Sequence, residues 1–323
     1  MKNFIITFFI SSASILSLCI GLITAIDPYD KLGNNFFGFE TKAVAQSREN
    51  KFHMFESSKK DYTAFILGSS AAHRYSTEKI NKLTGLTAFN YAVQHSTPID
   101  YLAIIKHILS KSTPKLILLQ LDFAGLDETY KVDNRLFNSP LNKFLKDQKP
   151  SKMLFHNNNF TLDALRDSFR VVFVNKFGTA RHIYLEDGNY LNEKPKRKAI
   201  KIRQGNSIAY SFSIDRVRIL KEISNLCKIN DIELIAFSAP LSIDHVQKIQ
   251  SLAHLRNMHI KFKKEMTKVF GSFWDFQNST ISKYNDYNYF LDSTHPSKEM
   301  SSLVLDILLG KKENHLLGKK LTL

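Results

Sequence analysis

The chain has 323 residues, a hydrophobic fraction of 43% and a formal net charge of +15, from 45 Lys and Arg against 30 Asp and Glu. That apolar content is enough for a sizeable core. The two cysteines, Cys19 in the first apolar run and Cys227 in a predicted helix, exclude a disulfide within the soluble part, and no Cys/His cluster has metal-ligand spacing, so neither metal nor cofactor is expected.

In chain order, residues 4–26 carry no charge over 23 positions. At about 1.5 Å per residue such a helix spans roughly 34 Å, the thickness of a bilayer. A cleaved signal peptide would have a shorter apolar region, roughly 7–15 residues, ending in a small-x-small site, and Ile23-Thr24-Ala25 is a poor one. An uncleaved single-pass anchor over residues 1–26 is therefore expected, with a signal peptide as the alternative. Flanking charge does not orient it: Lys2 and the amino group stand against Lys31 and Lys42, which Asp27 and Asp30 temper. Residues 27–61 read as a polar connector.

An α/β alternation then begins. A strand over 65–67 is followed by a short helix over 77–83 and a strand over 87–91. Pro98 opens a helix through 109, with Ile99, Leu102, Ile105 and Ile108 on one stripe. Residues 116–121 are apolar on both faces, as a central parallel strand requires. Residues 127–207 interrupt the pattern as a polar, basic insertion with one helix over 162–177 and a turn at 185–189. Its densest basic run, Lys194 to Arg203, reads either as a solvated loop or as a contact for anionic headgroups or polymer. The alternation resumes with a helix over 214–227, a strand over 233–237 and a helix over 243–270 that breaks once. A last strand over 272–276 and a closing helix over 297–309 follow. His245, His254 and His259 are not spaced to share one ligand and read as surface or satisfied histidines. Residues 311–323 read as a frayed basic tail.

Two stretches carry chemistry. Ala64-Phe65-Ile66-Leu67-Gly68-Ser69-Ser70 is an apolar strand that stops in Gly-Ser-Ser. Such a turn lies at the carboxyl edge of an open α/β sheet, where ligands bind, and sets a hydroxyl beside backbone N–H groups. A plain strand-to-helix turn is the alternative. Far along the chain, Phe290-Leu291-Asp292-Ser293-Thr294-His295-Pro296 holds an acid and an imidazole three positions apart. A serine nucleophile needs a base within hydrogen-bond reach and that base an orienting carboxylate.

The pair of motifs resembles the SGNH (GDSL-like) hydrolase superfamily. It is closest to the membrane-anchored branch that includes the alginate O-acetylation proteins and the D-alanine transfer protein of teichoic acids. The likeness runs over residues 62–309, with the two end motifs specific. It implies a three-layer, flavodoxin-like α/β domain with a central parallel sheet (residues 62–310) behind one N-terminal membrane span. By position it puts Ser70 at the nucleophile, Asp292 at the orienting acid and His295 at the base. It also implies a domain outside the cytoplasm, held by the bacterial cytoplasmic membrane. Implied partners are an acylated envelope glycan or acyl donor and a membrane-bound O-acyltransferase; nucleic acid is not expected.

The sequence departs from the family in its oxyanion elements. The second block, Phe89-Asn90-Tyr91-Ala92-Val93-Gln94-His95-Ser96, has no Gly, so a main-chain N–H of His95 or Ser96 has to serve beside Gly68 and the Ser70 turn. The third block ends in Asp122 where the family has an Asn; a carboxylate donates a hydrogen bond only when protonated. Two expectations follow: a Ser-His-Asp esterase or O-acyltransferase, favoured by the retained Ser, Asp and His, or a tethered binding or assembly protein on the same fold, favoured by the altered oxyanion elements.

Overall fold

The computed structural model describes residues 1–28, 36–39, 47–137, 139–145, 160, 162–177, 183–191, 210–278, 283–284, 288–310 and 317–323. The basic run from Lys194 to Arg203 lies outside them.

The domain is an α/β fold around one six-stranded sheet. Its strands are β1 (Ala64–Leu67), β2 (Ala88–Asn90), β3 (Leu116–Leu121), β6 (Glu233–Ser238), β7 (Ser272–Asp275) and β10 (Lys319–Thr322), in spatial order β10-β7-β6-β3-β1-β2. The first five in sequence are parallel and β10 is antiparallel to β7. Among the parallel strands the order is 2-1-3-4-5, the flavodoxin-like arrangement, whose order reverses between the first and third strands.

Side-chain alternation splits the core into two layers. Phe65, Leu67, Ile117, Leu119 and Leu121 face α2 (Ser47–Ser57), α4 (Pro98–Lys111), α7 (Ile214–Ile229) and α9 (Ala253–Phe270). Ile66, Leu116 and Leu118 face α3 (Thr77–Thr84) and α10 (Lys298–Leu308). Period-two alternation with both faces apolar is what a strand covered on both sides requires. Gln120, the one polar residue of β3, falls on the same face as Leu116 and Leu118.

The connector and the tail differ from expectation, whereas the 243–270 helix breaks once as expected. The connector supplies α2, whose Phe52 and Phe55 enter the core and whose Arg48 donates to Asp100 at 2.7 Å. Asp100 also closes a capping box with Thr97 at the start of α4, so its carboxylate caps one helix and pins another. The tail is not frayed at its end: Leu317 is buried and β10 covers the β7 edge, which answers the pairing demand of an exposed strand. In the 243–270 helix the break falls at Leu252, between α8 (Ile243–Ser251) and α9.

At the other end α1 (Lys2–Ile26) is long and apolar enough to cross a membrane, a test a signal sequence also passes. Its last turn, Ile23 and Ile26, is buried against Ala164 and Val171 of α6 (Leu162–Phe177).

Candidate functional site

β1 ends at Leu67, and past Gly68 the chain turns at once into a 3-10 helix over Ser70–Ala72. Ser69 caps it, its hydroxyl accepting from the Ala71 N–H at 3.2 Å. Glycine is required at 68 by space: a Cβ there would lie 2.6 Å from both the Ala72 Cβ and the Gln120 Oε1. Gln120 holds the turn from below, accepting from the Ser69 N–H at 2.9 Å and donating to Asp122 at 2.7 Å. Asn90, at the end of β2, clamps it from the side: its amide donates to the carbonyls of Ala72 and Tyr75 at 3.1 and 3.2 Å. The turn that carries Ser70 is thus fixed by two buried amides on neighbouring strands.

Asp292 and His295 lie on a tight hairpin, β8 (Phe290–Asp292) and β9 (His295–Pro296), just before Ser297 caps α10. The loop is tied down by Ser242, whose N–H donates to the Ser293 carbonyl at 3.1 Å. Asp292 Oδ1 accepts from the main-chain N–H groups of Thr294 and His295, each at 3.0 Å. The same carboxylate meets His295 Nδ1 at 2.8 and 3.0 Å. Nδ1 is therefore the protonated nitrogen, because a carboxylate only accepts. His295 Nε2 is left as an acceptor and lies 2.8 Å from Ser70 Oγ. The structure brings together Ser70, His295 and Asp292, with Ser70 half-buried.

The oxyanion candidates are distributed around Ser70. Val93 N–H donates to the Gly68 carbonyl at 3.0 Å, which sets the second block beside the turn. His95 takes φ 51, a left-handed conformation in which glycine is at ease and histidine is tolerated. The His95 side chain faces away to Tyr130, with Nδ1 3.0 Å from the hydroxyl. Ser96 is buried, its hydroxyl donating to Tyr101 at 3.2 Å. No main-chain acceptor for the N–H of Ser70 or Ser96 occurs among the described residues. Asp122 is half-buried; burial raises its pKa, against hydrogen bonds from Ser69 and Gln120 and the charges of His295 and His95.

Around the triad lies a buried basic and aromatic lining that the sequence analysis did not single out. Arg74 is 8% exposed, and its guanidinium lies 5.6 Å from the Tyr190 ring on the hairpin of β4 (Ile183–Tyr184) and β5 (Tyr190–Leu191). Burial lowers its pKa to about 10, with Asp292 opposing, so it stays charged at neutral pH. His73 packs on the same Tyr190 ring at 5.1 Å and is kept neutral by burial and by the charges of Lys51, Arg74 and His295. Lys51 of α2 reaches the Asn90 carbonyl at 2.7 Å, and burial holds its pKa well below the usual value. The sequence signal for these residues was faint: each lies in a polar stretch that reads as solvated.

The three spaced histidines have different environments. His254 bonds the Tyr210 carbonyl at 2.7 Å and His259 bonds Gln277 at 2.8 Å. His245 is half-buried, and among the described residues neither its Nδ1 nor that of His259 finds a hydrogen-bond partner. Among the described residues no group of His, Cys, Asp or Glu is arranged to hold a metal ion.

No protein-family model matches the chain, and no curated protein matches it. Among solved structures it is similar to one named a "putative acylhydrolase" from Bacteroides fragilis, with 14% sequence identity and a TM-score of 0.38 over 84% of this chain and 99% of that one. A likeness of that size carries no argument about chemistry, which rests on the residues above.

Proposed function

We propose that the chain is a membrane-anchored, extracytoplasmic SGNH-like acyl esterase or O-acyltransferase that works on acyl esters of a cell-envelope glycan. The observation that carries this reading is the continuous hydrogen-bond path Ser70 Oγ, His295 Nε2, His295 Nδ1, Asp292, with links of 2.8 and 2.8 Å. His295 takes the Ser70 proton as Oγ attacks the acyl carbonyl, and Asp292 stabilises the imidazolium without taking the proton. The N–H groups of Ser70 and Ser96 receive the developing oxyanion. The imidazolium then protonates the leaving alkoxide, which departs as an alcohol. His295, neutral again, activates water, giving an acid, or a sugar hydroxyl, giving a new ester; either regenerates Ser70.

In this reading residues 1–26 are the anchor and 62–310 the catalytic domain, with α2 of the 27–61 stretch packed onto it. The domain stands outside the cytoplasmic membrane, and a membrane-bound O-acyltransferase is the natural source of acyl groups. The decisive experiment is labelling with a fluorescent fluorophosphonate, with hydrolysis of a small acetyl ester measured alongside. Labelling of the wild type and its loss in Ser70→Ala are expected. A folded wild type that neither labels nor turns over ester would leave the second reading, a non-catalytic tethered binding or assembly protein. Asp122, an acid where an amide donor belongs, is the observation that favours that alternative.

A further inference from the structure

We infer that the outer face of α6 is a second membrane contact, an amphipathic helix lying among anionic phospholipid headgroups where α1 leaves the bilayer. This rests on the reading of α1 as an anchor and adds to it a surface that the proposed activity does not use.

Three observations converge on lipid as the occupant. The first is the exposed face itself. Phe169, Phe173 and Phe177 recur every fourth residue and are 59%, 56% and 59% exposed, with Leu162 beside them. At about 100° per residue they fall within roughly an 80° arc, and Phe173 and Phe177 pack at 4.6 Å. A soluble surface has no reason to display such a stripe.

The second is charge. Arg170 and Lys176 flank the stripe on its two sides and Arg166 falls within its arc; the Arg166 and Arg170 side chains are 66% and 69% exposed, each also within 4 Å of the Asp167 carboxylate. Phenylalanine flanked by long cations is the composition of helices that bury rings at the acyl boundary while the charges reach for anionic headgroups.

The third is position. Ala164, Leu165, Val171 and Val172 of α6 form an apolar cluster with Leu22, Ile23 and Ile26 from the last turns of α1. Eight steps of α6, roughly 12 Å of axis, thus meet about one turn of α1. The exposed apolar length of α1, from Phe4 to Ile20, lies on the N-terminal side of that contact. If that length fills the hydrocarbon, α6 lies at the level of the headgroups.

The test uses the full chain in vesicles of phosphatidylcholine with and without phosphatidylglycerol, containing bromolipid as a contact quencher. The native protein has one Trp, Trp274, so each added Trp is read as a difference from the wild type. Leu16→Trp reports the anchor, Phe173→Trp the α6 face, and Ile229→Trp an exposed apolar site elsewhere. Quenching of Phe173→Trp at least about twofold above Ile229→Trp is expected, falling when phosphatidylglycerol is omitted or when Arg166 and Arg170 are changed to Gln. If Leu16→Trp is quenched while Phe173→Trp matches Ile229→Trp, the α6 inference is overturned with the anchor intact. If Phe173→Trp is shielded from both bromolipid and aqueous iodide, a protein covers the face and the inference is overturned. If Leu16→Trp is not quenched, the anchor reading fails and the inference with it.

Discussion

Ser70 Oγ and His295 Nε2 lie 2.8 Å apart across 225 positions of sequence. Changing either to Ala should lower turnover of a small acyl ester by about 10³-fold or more, with the circular dichroism spectrum unchanged. Asp292→Asn should cost about as much, because an amide cannot hold His295 in the tautomer that leaves Nε2 free to accept. Turnover surviving in Ser70→Ala would remove Ser70 from the reaction.

Asp122 gives a prediction of opposite sign. Burial favours its neutral form, so its proton is retained to higher pH than an ordinary aspartate would allow, and only that form donates a hydrogen bond. As pH rises through this elevated pKa the donor is lost. Asp122→Asn supplies a permanent amide donor and should raise kcat by up to about 10², the scale of one oxyanion donor, most clearly at alkaline pH. A variant no faster than wild type at any pH would place Asp122 outside the oxyanion site.

The sheet and the hairpin of Asp292 and His295 were legible for physical reasons. Residues 116–121 had to be central because both faces are apolar, and Asp292 and His295 are local enough that one turn presents both. Less legible were residues whose chemistry is inverted by burial. Arg48 and Lys51 made residues 47–57 look like a solvated connector, yet both are fully buried, one on Asp100 and one on the Asn90 carbonyl. Gln120 and Asn90 gave no motif at all, since their work is to hold main-chain groups brought close only by the fold. The pairing of β10 depends on an edge that no local pattern announces.

Stability should fall in mild acid. Burial lowers the pKa of His107 to about 4, with the charges of Lys143 and Lys111 adding to it and the bond to Glu56 opposing it. His259 is likewise lowered to about 4 by burial. Their folded-state values lie below the unfolded value of about 6.5, so unfolding takes up protons between the two. The stabilisation is complete above about pH 6.5 and is lost as pH falls toward 4, with a slope of up to about 1.4 kcal/mol per pH unit for each histidine. Urea titrations across this range should show it, and His107→Gln should flatten the profile; an unchanged slope would assign the effect elsewhere.

Gly68→Ala should damage both fold and site. The added Cβ would meet Ala72 and Gln120 at 2.6 Å on a turn with no room to shift. A loss of roughly 1–3 kcal/mol is expected from overpacking, together with loss of ester turnover as Ser70 moves. Full activity in this variant would show the turn to be more accommodating than its packing.

Topology can be tested without reference to chemistry. A reporter active only outside the cytoplasm, fused after Leu323, should work if residues 1–26 form a single span with the domain outside. A silent reporter, with its cytoplasmic counterpart active, would reverse that orientation.

The buried contacts of α2 decide where this domain can be cut free. A chain starting at Tyr62 would keep every strand and the Ser70, His295 and Asp292 side chains. It would lose Phe52 and Phe55 from the core, leave Asp100 buried without its arginine and take Lys51 from Asn90. Removing one partner of a buried ion pair alone costs about 3–5 kcal/mol, a large part of what a domain has to spare. Any excised form that is to fold must therefore begin upstream of Ser47.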